Sequence, residues 1–164
     1  MVPELADLLR DTAAAVDAAY PGAVTQVLDA NFPFLTGFPL LPHLSHDDGR
    51  KADLAFYYTD AKGYEPGATR SPIGYFAFEQ GPADCPGNWL TLRWDLNALQ
   101  PLWRELEVDA ARTRYLLQVL EEDARVEKMF LEPHLQDRSG VHSGKLRFQG
   151  CRAARHDDHI HLQL

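Results

Sequence analysis

Apolar residues near the start of the chain recur at helical spacing. Over residues 3–19 they fall three or four positions apart, with Pro3 near the first turn and Pro21-Gly22 as a stop. We therefore predict an amphipathic helix over this range. The same spacing predicts a second helix over residues 109–124, with four inward side chains: Tyr115, Leu116, Val119 and Leu120.

Alternating patterns predict several strands. Over residues 52–58, Leu54, Phe56 and Tyr58 fall on one face and Asp53, Ala55 and Tyr57 on the other. Strands are also expected in five other stretches: 23–30, 73–78, 89–94, 126–131 and 157–162. The stretch over 59–88 is rich in Gly, Pro and Asp, which predicts a long, partly structured connection of the kind that often carries binding residues.

A third helix is expected directly after the predicted strand at 89–94 and before the helix at 109–124. Asp95 would cap it, and Pro101 would limit or bend it before about residue 106. Helices and strands then follow one another without a regular β-α-β alternation. We therefore expect the α+β class, with a mainly antiparallel sheet and flanking helices, in one domain over 1–164.

Composition and charge exclude several classes of protein. Sixteen Lys and Arg against 24 Asp and Glu give a net charge of −8, which argues against nucleic acid as a partner. A polyanion would need a local basic patch such as Lys145, Arg147, Arg152 and Arg155. No stretch fits a transmembrane helix, and the N-terminus shows no signal peptide. Two cysteines, Cys85 and Cys151, leave open one disulfide or two unrelated thiols.

Three of the seven histidines lie in the last nine residues, in a His-x-x-His-x-His pattern at His156, His159 and His161. Because side chains alternate along a strand, His159 and His161 project from one face and Ile160 and Leu162 from the other. Two imidazoles on one face would repel each other if both were protonated. A metal ion is the natural partner for such a pair.

A second cluster lies before the strand at 52–58. His46 and Asp53 are seven positions apart, and a turn at Gly49 would bring their side chains together. With one nitrogen from the final strand they would form a His-Asp-His ligand set with an open fourth position, as catalytic zinc requires.

The two motifs together resemble those of the penicillin-insensitive murein endopeptidases, in the wider group of lysostaphin, D-Ala-D-Ala metallopeptidases and the hedgehog domain. The resemblance lies in Ser45-His46-x-x-Gly49-x-x-x-Asp53 and His156-x-x-His159-x-His161, with weaker similarity over 94–133. It implies zinc ligation by His46, Asp53 and His161, acid or base catalysis by His159, and an additional active-site role for His156. It also implies a hedgehog/DD-peptidase-like fold.

The resemblance implies a zinc peptidase acting on peptidoglycan stem peptides or cross-links that contain D-amino acids. The alternatives are a D-Ala-D-Ala dipeptidase or carboxypeptidase acting on soluble precursors, and a non-catalytic metal-binding module. A periplasmic or secreted location follows from the resemblance, and a cytoplasmic one stays open because no signal peptide is visible.

The remaining polar and aromatic residues are expected to have structural roles. His134 and His142 are interpreted as surface histidines in a loop. Most aromatic side chains, Tyr75 among them, are assigned to core and sheet packing, while Tyr57 shares a predicted strand face with Asp53 and is a candidate to line the cleft. Four acidic residues are interpreted as solvated or turn-capping, or as contacts to the ligating imidazoles: Asp47, Asp48, Asp157 and Asp158.

Overall fold

The computed structural model describes residues 1–30, 46–82, 85–86, 91–94 and 96–164. In these residues three α-helices accompany two sheets, and the protein is of the α+β class. The helices are α1 (Pro3–Ala19), α2 (Ala110–Glu122) and α3 (Pro133–Ser139). The strands are β1 (Val27–Asp29), β2 (Lys51–Ala55), β3 (Tyr58–Asp60), β4 (Gly63–Tyr64), β5 (Glu107–Val108), β6 (Lys128–Phe130), β7 (Leu146–Arg147) and β8 (His159–Gln163).

The main sheet has the strand order β1-β2-β8-β6-β7, so the last strand in the chain lies in the middle. All neighbouring pairs are antiparallel except β6 and β7, which are parallel. A smaller antiparallel sheet has the order β4-β3-β5. The expected mainly antiparallel architecture with flanking helices is therefore confirmed.

Both long helices form where the apolar spacing predicts them. In α1 the buried positions Leu5, Leu8, Thr12 and Val16 follow one helical face. The side chain of Asp109 caps α2 by accepting a hydrogen bond from the backbone N–H of Arg112 at 3.0 Å. The apolar faces of both helices pack with the apolar face of the main sheet in one hydrophobic core.

Several local predictions are wrong. The helix expected up to residue 106 is only a 3-10 turn over Gln100–Leu102, and its expected cap, Asp95, lies outside the described residues. Leu96 has a positive φ of 43°, which a helix does not allow, and Pro101 has no N–H to continue one.

The strand expected over 52–58 divides into two. β2 ends at Ala55, and β3 begins at Tyr58 in the other sheet. Residues 73–78 form no strand, since Gly74 and Phe76 have positive φ values of 81° and 64°. Residues 91–94 form none either, and 89–90 of that prediction lie outside the described residues.

The structure also shows how the two cysteines pair and whether a described helix could cross a membrane. Cys85 and Cys151 form a disulfide, with their Cα atoms 5.3 Å apart. Among the described residues, no helix combines the length and the apolar character that crossing a membrane would require.

Candidate metal centre

The pairing of β2 with β8 places the two predicted motifs next to each other. In this antiparallel ladder Asp53 lies directly opposite His161, although 108 positions separate them in the sequence. Because side chains alternate, His159, His161 and Gln163 share one face of β8. Ile160 and Leu162 point to the other face, where both are fully buried in the core. The predicted division of the final strand is therefore confirmed.

His46 reaches the same place from a turn that precedes β2. Residues 46–49 form this turn, and Gly49 adopts a φ of 73°, a conformation that favours glycine. The carbonyl of Gly49 accepts a hydrogen bond from the N–H of Val2 at 2.9 Å, which ties the turn to the start of α1. The turn expected at Gly49 thus brings His46 to Asp53.

Three potential ligand atoms converge at this point. His161 Nδ1 lies 2.8 Å from Asp53 Oδ1 and 3.0 Å from His46 Nε2, and the latter two atoms are 3.3 Å apart. His46 and Asp53 are completely buried, and His161 is 2% exposed. This group could hold a metal ion. Two imidazole nitrogens and one carboxylate oxygen match the ligand types of catalytic zinc sites.

The surroundings of His161 favour the neutral form of its imidazole. Burial lowers the pKa of His161, the neighbouring imidazoles of His46 and His159 lower it further, and the Asp53 carboxylate opposes this effect only in part. A neutral imidazole is the form that binds a metal ion.

Both residues predicted to act in catalysis lie beside the three ligand candidates. The Nε2 atom of His159 is 3.6 Å from Asp53 Oδ2. The ring of His156 is centred 4.9 Å from that of His159 and 5.6 Å from that of His161. Both histidines are almost completely buried. The structure therefore brings all five predicted site residues into one cluster.

Sequence reasoning missed Tyr75, which it assigned to core packing. Its hydroxyl donates a hydrogen bond to Asp53 Oδ2 at 2.9 Å, and its ring packs edge-on against His159 with centroids 5.1 Å apart. Burial and the Asp53 carboxylate raise the pKa of the Tyr75 hydroxyl, so it stays a proton donor. The one sequence signal for a binding role of Tyr75 was its position in the long connection over 59–88, since such connections often carry binding residues.

Asp158 orients His159. Its Oδ1 atom is hydrogen-bonded to His159 Nδ1, and its Oδ2 accepts the backbone N–H of Phe76 at 2.6 Å. Asp157 instead pairs with Arg155. Both carboxylates are buried, so the interpretation of this pair as solvated is wrong. Asp158 does contact an imidazole, but it is that of His159, which is not one of the three predicted metal ligands.

Glu132 holds the backbone of His156. Its side chain accepts two hydrogen bonds from Arg93, at 2.9 and 2.8 Å, and a longer one from the His156 N–H at 3.3 Å. Its own backbone N–H donates to the His156 carbonyl at 3.0 Å. This ion pair is nearly fully buried, with side-chain exposures of 7% for Arg93 and 2% for Glu132. A charge buried in this way needs such a partner, because an unpaired one would cost several kcal/mol.

Other predictions around the site need correction. His134 is a buried residue of α3 and not a surface histidine, whereas His142 is exposed as expected. Tyr57 does not line the cleft with Asp53, since its ring packs on Tyr64 and its hydroxyl is hydrogen-bonded to Thr25.

Only part of the expected basic patch is available to contact a polyanion. Lys145 donates to the carbonyls of Glu121 and Asp123 at the end of α2, at 2.7 and 2.8 Å, and Arg155 is paired with Asp157. Arg147 and Arg152 remain exposed.

A small cleft lies beside His159. Aromatic side chains form much of its wall, and Asp158 and Arg155 add polar groups to it; the aromatic residues are Tyr75, Phe76, Phe78 and Trp94. This cleft is a candidate path for a ligand toward His159.

A scan against models of known protein families finds no match to this chain, and a search of curated protein sequences finds none either.

Proposed function

We propose that this protein is a zinc-dependent peptidase that hydrolyses peptide bonds in peptidoglycan stem peptides or cross-links containing D-amino acids. The observation that carries the proposal is the buried His46, Asp53 and His161 group with His159 directly beside it. The resemblance of the two motifs to those of murein endopeptidases supports the choice of substrate. A hedgehog/DD-peptidase-like fold is part of the same proposal.

His46, Asp53 and His161 would hold the ion through the three atoms that already converge. A bound Zn²⁺ supplies Lewis-acid chemistry, which activates water and stabilises negative charge on a carbonyl oxygen. Tyr75 holds Asp53 Oδ2, so that Oδ1 faces the two imidazoles.

His159 is the proposed proton carrier. The Nδ1–H group of His159 donates a hydrogen bond to the Asp158 carboxylate, which directs the Nε2 atom of His159 toward the three ligand candidates. His159 would take a proton from the attacking water while the water oxygen forms a bond to the scissile carbonyl carbon. It would then give that proton to the amine nitrogen as the carbon–nitrogen bond breaks. His156, next to His159, would contact the substrate or stabilise charge.

Digestion of purified cross-linked muropeptides, with and without a chelator, tests this proposal. We expect mass spectrometry to show conversion of dimers to monomers by the zinc-loaded protein and no conversion after chelation. His161→Ala should lose both zinc and hydrolysis, whereas the exposed control His142→Ala should keep both. If His161→Ala retained both, the site assignment would be wrong.

Two other outcomes would replace the substrate or the activity. Cleavage of free D-Ala-D-Ala with cross-linked muropeptides untouched would indicate a dipeptidase or carboxypeptidase. A folded, zinc-loaded protein that cleaves neither would indicate a non-catalytic metal-binding module.

A further inference from the structure

A polar pocket adjoins the cleft beside His159. The cleft and the polar pocket share two residues, Phe78 and Arg155. Other charged and amide side chains of the polar pocket come from two segments, 70–81 and 97–101, and include Arg70, Glu79, Asn97 and Gln100. A ligand that reaches His159 along the cleft is therefore able to extend into the polar pocket.

The wall between the cleft and the polar pocket is held in a fixed shape. Phe76 has a positive φ of 64°, a conformation that residues other than glycine rarely adopt. Its N–H donates to Asp158 at 2.6 Å, and its carbonyl accepts from the side chains of Gln100 and Trp103, both at 2.8 Å. Such conformations cluster at binding and active sites, where the surrounding structure enforces them. The contacts therefore fix the position of the aromatic wall.

Two guanidinium groups converge on Phe78 in this wall. Arg70 donates from NH1 to the Phe78 carbonyl at 3.0 Å, and the guanidinium of Arg155 lies 4.0 Å from the centre of the Phe78 ring. Arg70 also pairs with Glu79 at 3.1 Å, and Arg155 pairs with Asp157. The polar pocket therefore contains charges of both signs.

A third arginine makes the positive charges more numerous. Burial raises the pKa of Glu79, and the positive charges of Arg70 and Arg138 oppose this rise. Three guanidinium groups thus lie around the two carboxylates of Glu79 and Asp157, in a chain whose net charge is −8. A local excess of positive charge of this kind attracts anionic groups.

Arg70 retains hydrogen-bonding capacity. Its NH1 group donates to Phe78 and Glu79, and its Nε donates to the carbonyl of Arg104 at 3.4 Å. Within the described parts of the chain nothing accepts from its NH2 group, and its side chain is 17% exposed. The N–H groups of a guanidinium form a rigid fork that matches the oxygens of a carboxylate. Arg70 is therefore able to bind a ligand carboxylate and keep its pair with Glu79.

We propose that the polar pocket binds a free carboxylate of the peptide substrate. Arg70 donates hydrogen bonds to this carboxylate, and Arg155 provides a second positive charge beside it. The carboxylate lies about two residues from the scissile bond, because the rings of Phe76 and Phe78 are centred 6.5 Å apart and two extended residues span about that length. This inference rests on the proposed function and specifies its substrate as a peptide with a free carboxylate near the cleaved bond.

Peptide binding tests the proposal without relying on hydrolysis. We would titrate two tetrapeptides that contain a D-amino acid and differ only in a C-terminal carboxylate or carboxamide. The titrations use isothermal calorimetry and the His159→Ala variant with zinc, so that the peptides are not cleaved. We expect the carboxylate peptide to bind about 10–100-fold more tightly, the usual effect of a hydrogen bond to a charged group. Equal affinity for the two peptides, or no binding of either, would overturn the inference.

Substitutions in the same variant show whether Arg70 is responsible. Arg70→Gln combined with Glu79→Gln removes both charges, so that no unpaired carboxylate is left buried, and should bind both peptides equally. Arg70→Lys keeps the charge without the fork and should show a smaller preference than the parent protein. The matched control, Arg50→Gln combined with Glu4→Gln, removes an exposed ion pair and should keep the full preference.

The outcomes separate this inference from the proposed function. A preference for the carboxylate that survives loss of Arg70 and Glu79 would overturn the inference and place the carboxylate elsewhere, for example on the metal ion. If that double variant does not fold, Arg70→Lys decides, since an unchanged preference there would also overturn it. An Arg70-dependent preference in a protein whose wild-type form cleaves no muropeptide would support the binding site and overturn the proposed function.

Discussion

The two faces of β2 and β8 are buried to the same degree and for opposite reasons. On one face Ala52, Leu54, Ile160 and Leu162 are completely shielded from solvent by the core. On the other face Asp53, His159 and His161 are between 0% and 2% exposed. The apolar face needs only close packing, whereas every polar group on the second face needs a partner.

The partners of the polar face come from elsewhere in the chain. Tyr75 donates to Asp53, Asp158 binds His159, and Gln163 contacts His161. A buried carboxylate among imidazoles is a costly way to stabilise a fold, since apolar residues of similar volume often do as well or better. The comparison indicates that one face of the same strands provides stability and the other carries the group that could hold a metal ion.

The largest expected effect comes from removing the proposed proton carrier, His159, while keeping the three metal-ligand candidates. Under the proposed function, His159→Ala should reduce the hydrolysis rate by about 10²–10⁴-fold, because proton transfer typically contributes that much. Zinc content should stay the same, since the imidazole removed is not among the three proposed ligands. Steady-state rates on muropeptides and zinc analysis measure the two quantities.

The matched control for this substitution is His142→Ala, which removes an exposed imidazole. We expect it to have the wild-type rate. Full activity in His159→Ala would exclude His159 as the proton carrier, and loss of zinc in that variant would place it among the ligands.

The next effect concerns stability alone. Ile160 lies between His159 and His161 in the sequence, but its side chain is on the opposite, apolar face of β8. Ile160→Ala should lower the free energy of unfolding by about 2–5 kcal/mol, because it removes buried methyl groups and leaves a cavity. The zinc affinity of the folded protein should not change. Urea denaturation followed by fluorescence measures the loss.

Ile73→Ala provides the comparison, since Ile73 is 62% exposed and should change the free energy of unfolding by no more than about 0.5 kcal/mol. If Ile160→Ala cost as little as Ile73→Ala, the apolar face would not be the main source of stability.

The smallest effect tests the hydrogen bond that joins the long connection to the polar face. Tyr75→Phe removes the donor to Asp53 Oδ2 and should lower the free energy of unfolding of the metal-free protein by about 1–3 kcal/mol. Tyr115→Phe, at a tyrosine whose ring packs on Tyr20, is the control and should have a smaller effect. Equal losses in the two variants would argue that the Tyr75 hydroxyl contributes nothing specific.

The two faces also differ in how far the sequence predicts them. Alternation along β8 separates His159 and His161 from Ile160 and Leu162, and the two motifs supply His46 and Asp53. Local periodicity also locates α1 and α2, because each helix buries one continuous stripe. These features depend on spacing within a short segment, and the sequence displays that directly.

The sequence does not reveal the partners that complete the polar face. Tyr75 follows Gly74 in a segment whose positive φ values break the strand pattern that its composition suggests. Nothing in the sequence distinguishes Gln163 from other polar residues of strands, because its contact with His161 depends on the folded structure. The buried position of His134 likewise depends on Gly81, which packs so closely that an added Cβ would lie 2.0 Å from the ring. Such contacts are set by tertiary packing and not by spacing.

The position of β8 has a consequence for how the protein folds. The strand β8 pairs with β2 on one side and with β6 on the other. The pair β1-β2 and the pair β6-β7 are therefore joined into one sheet only through residues 159–163. Contacts between positions as far apart as His46 and His161, 115 residues, close long loops and form slowly. The three ligand candidates therefore come together only when β8 has joined β2, so a metal ion held by all three would bind and stabilise only the assembled sheet.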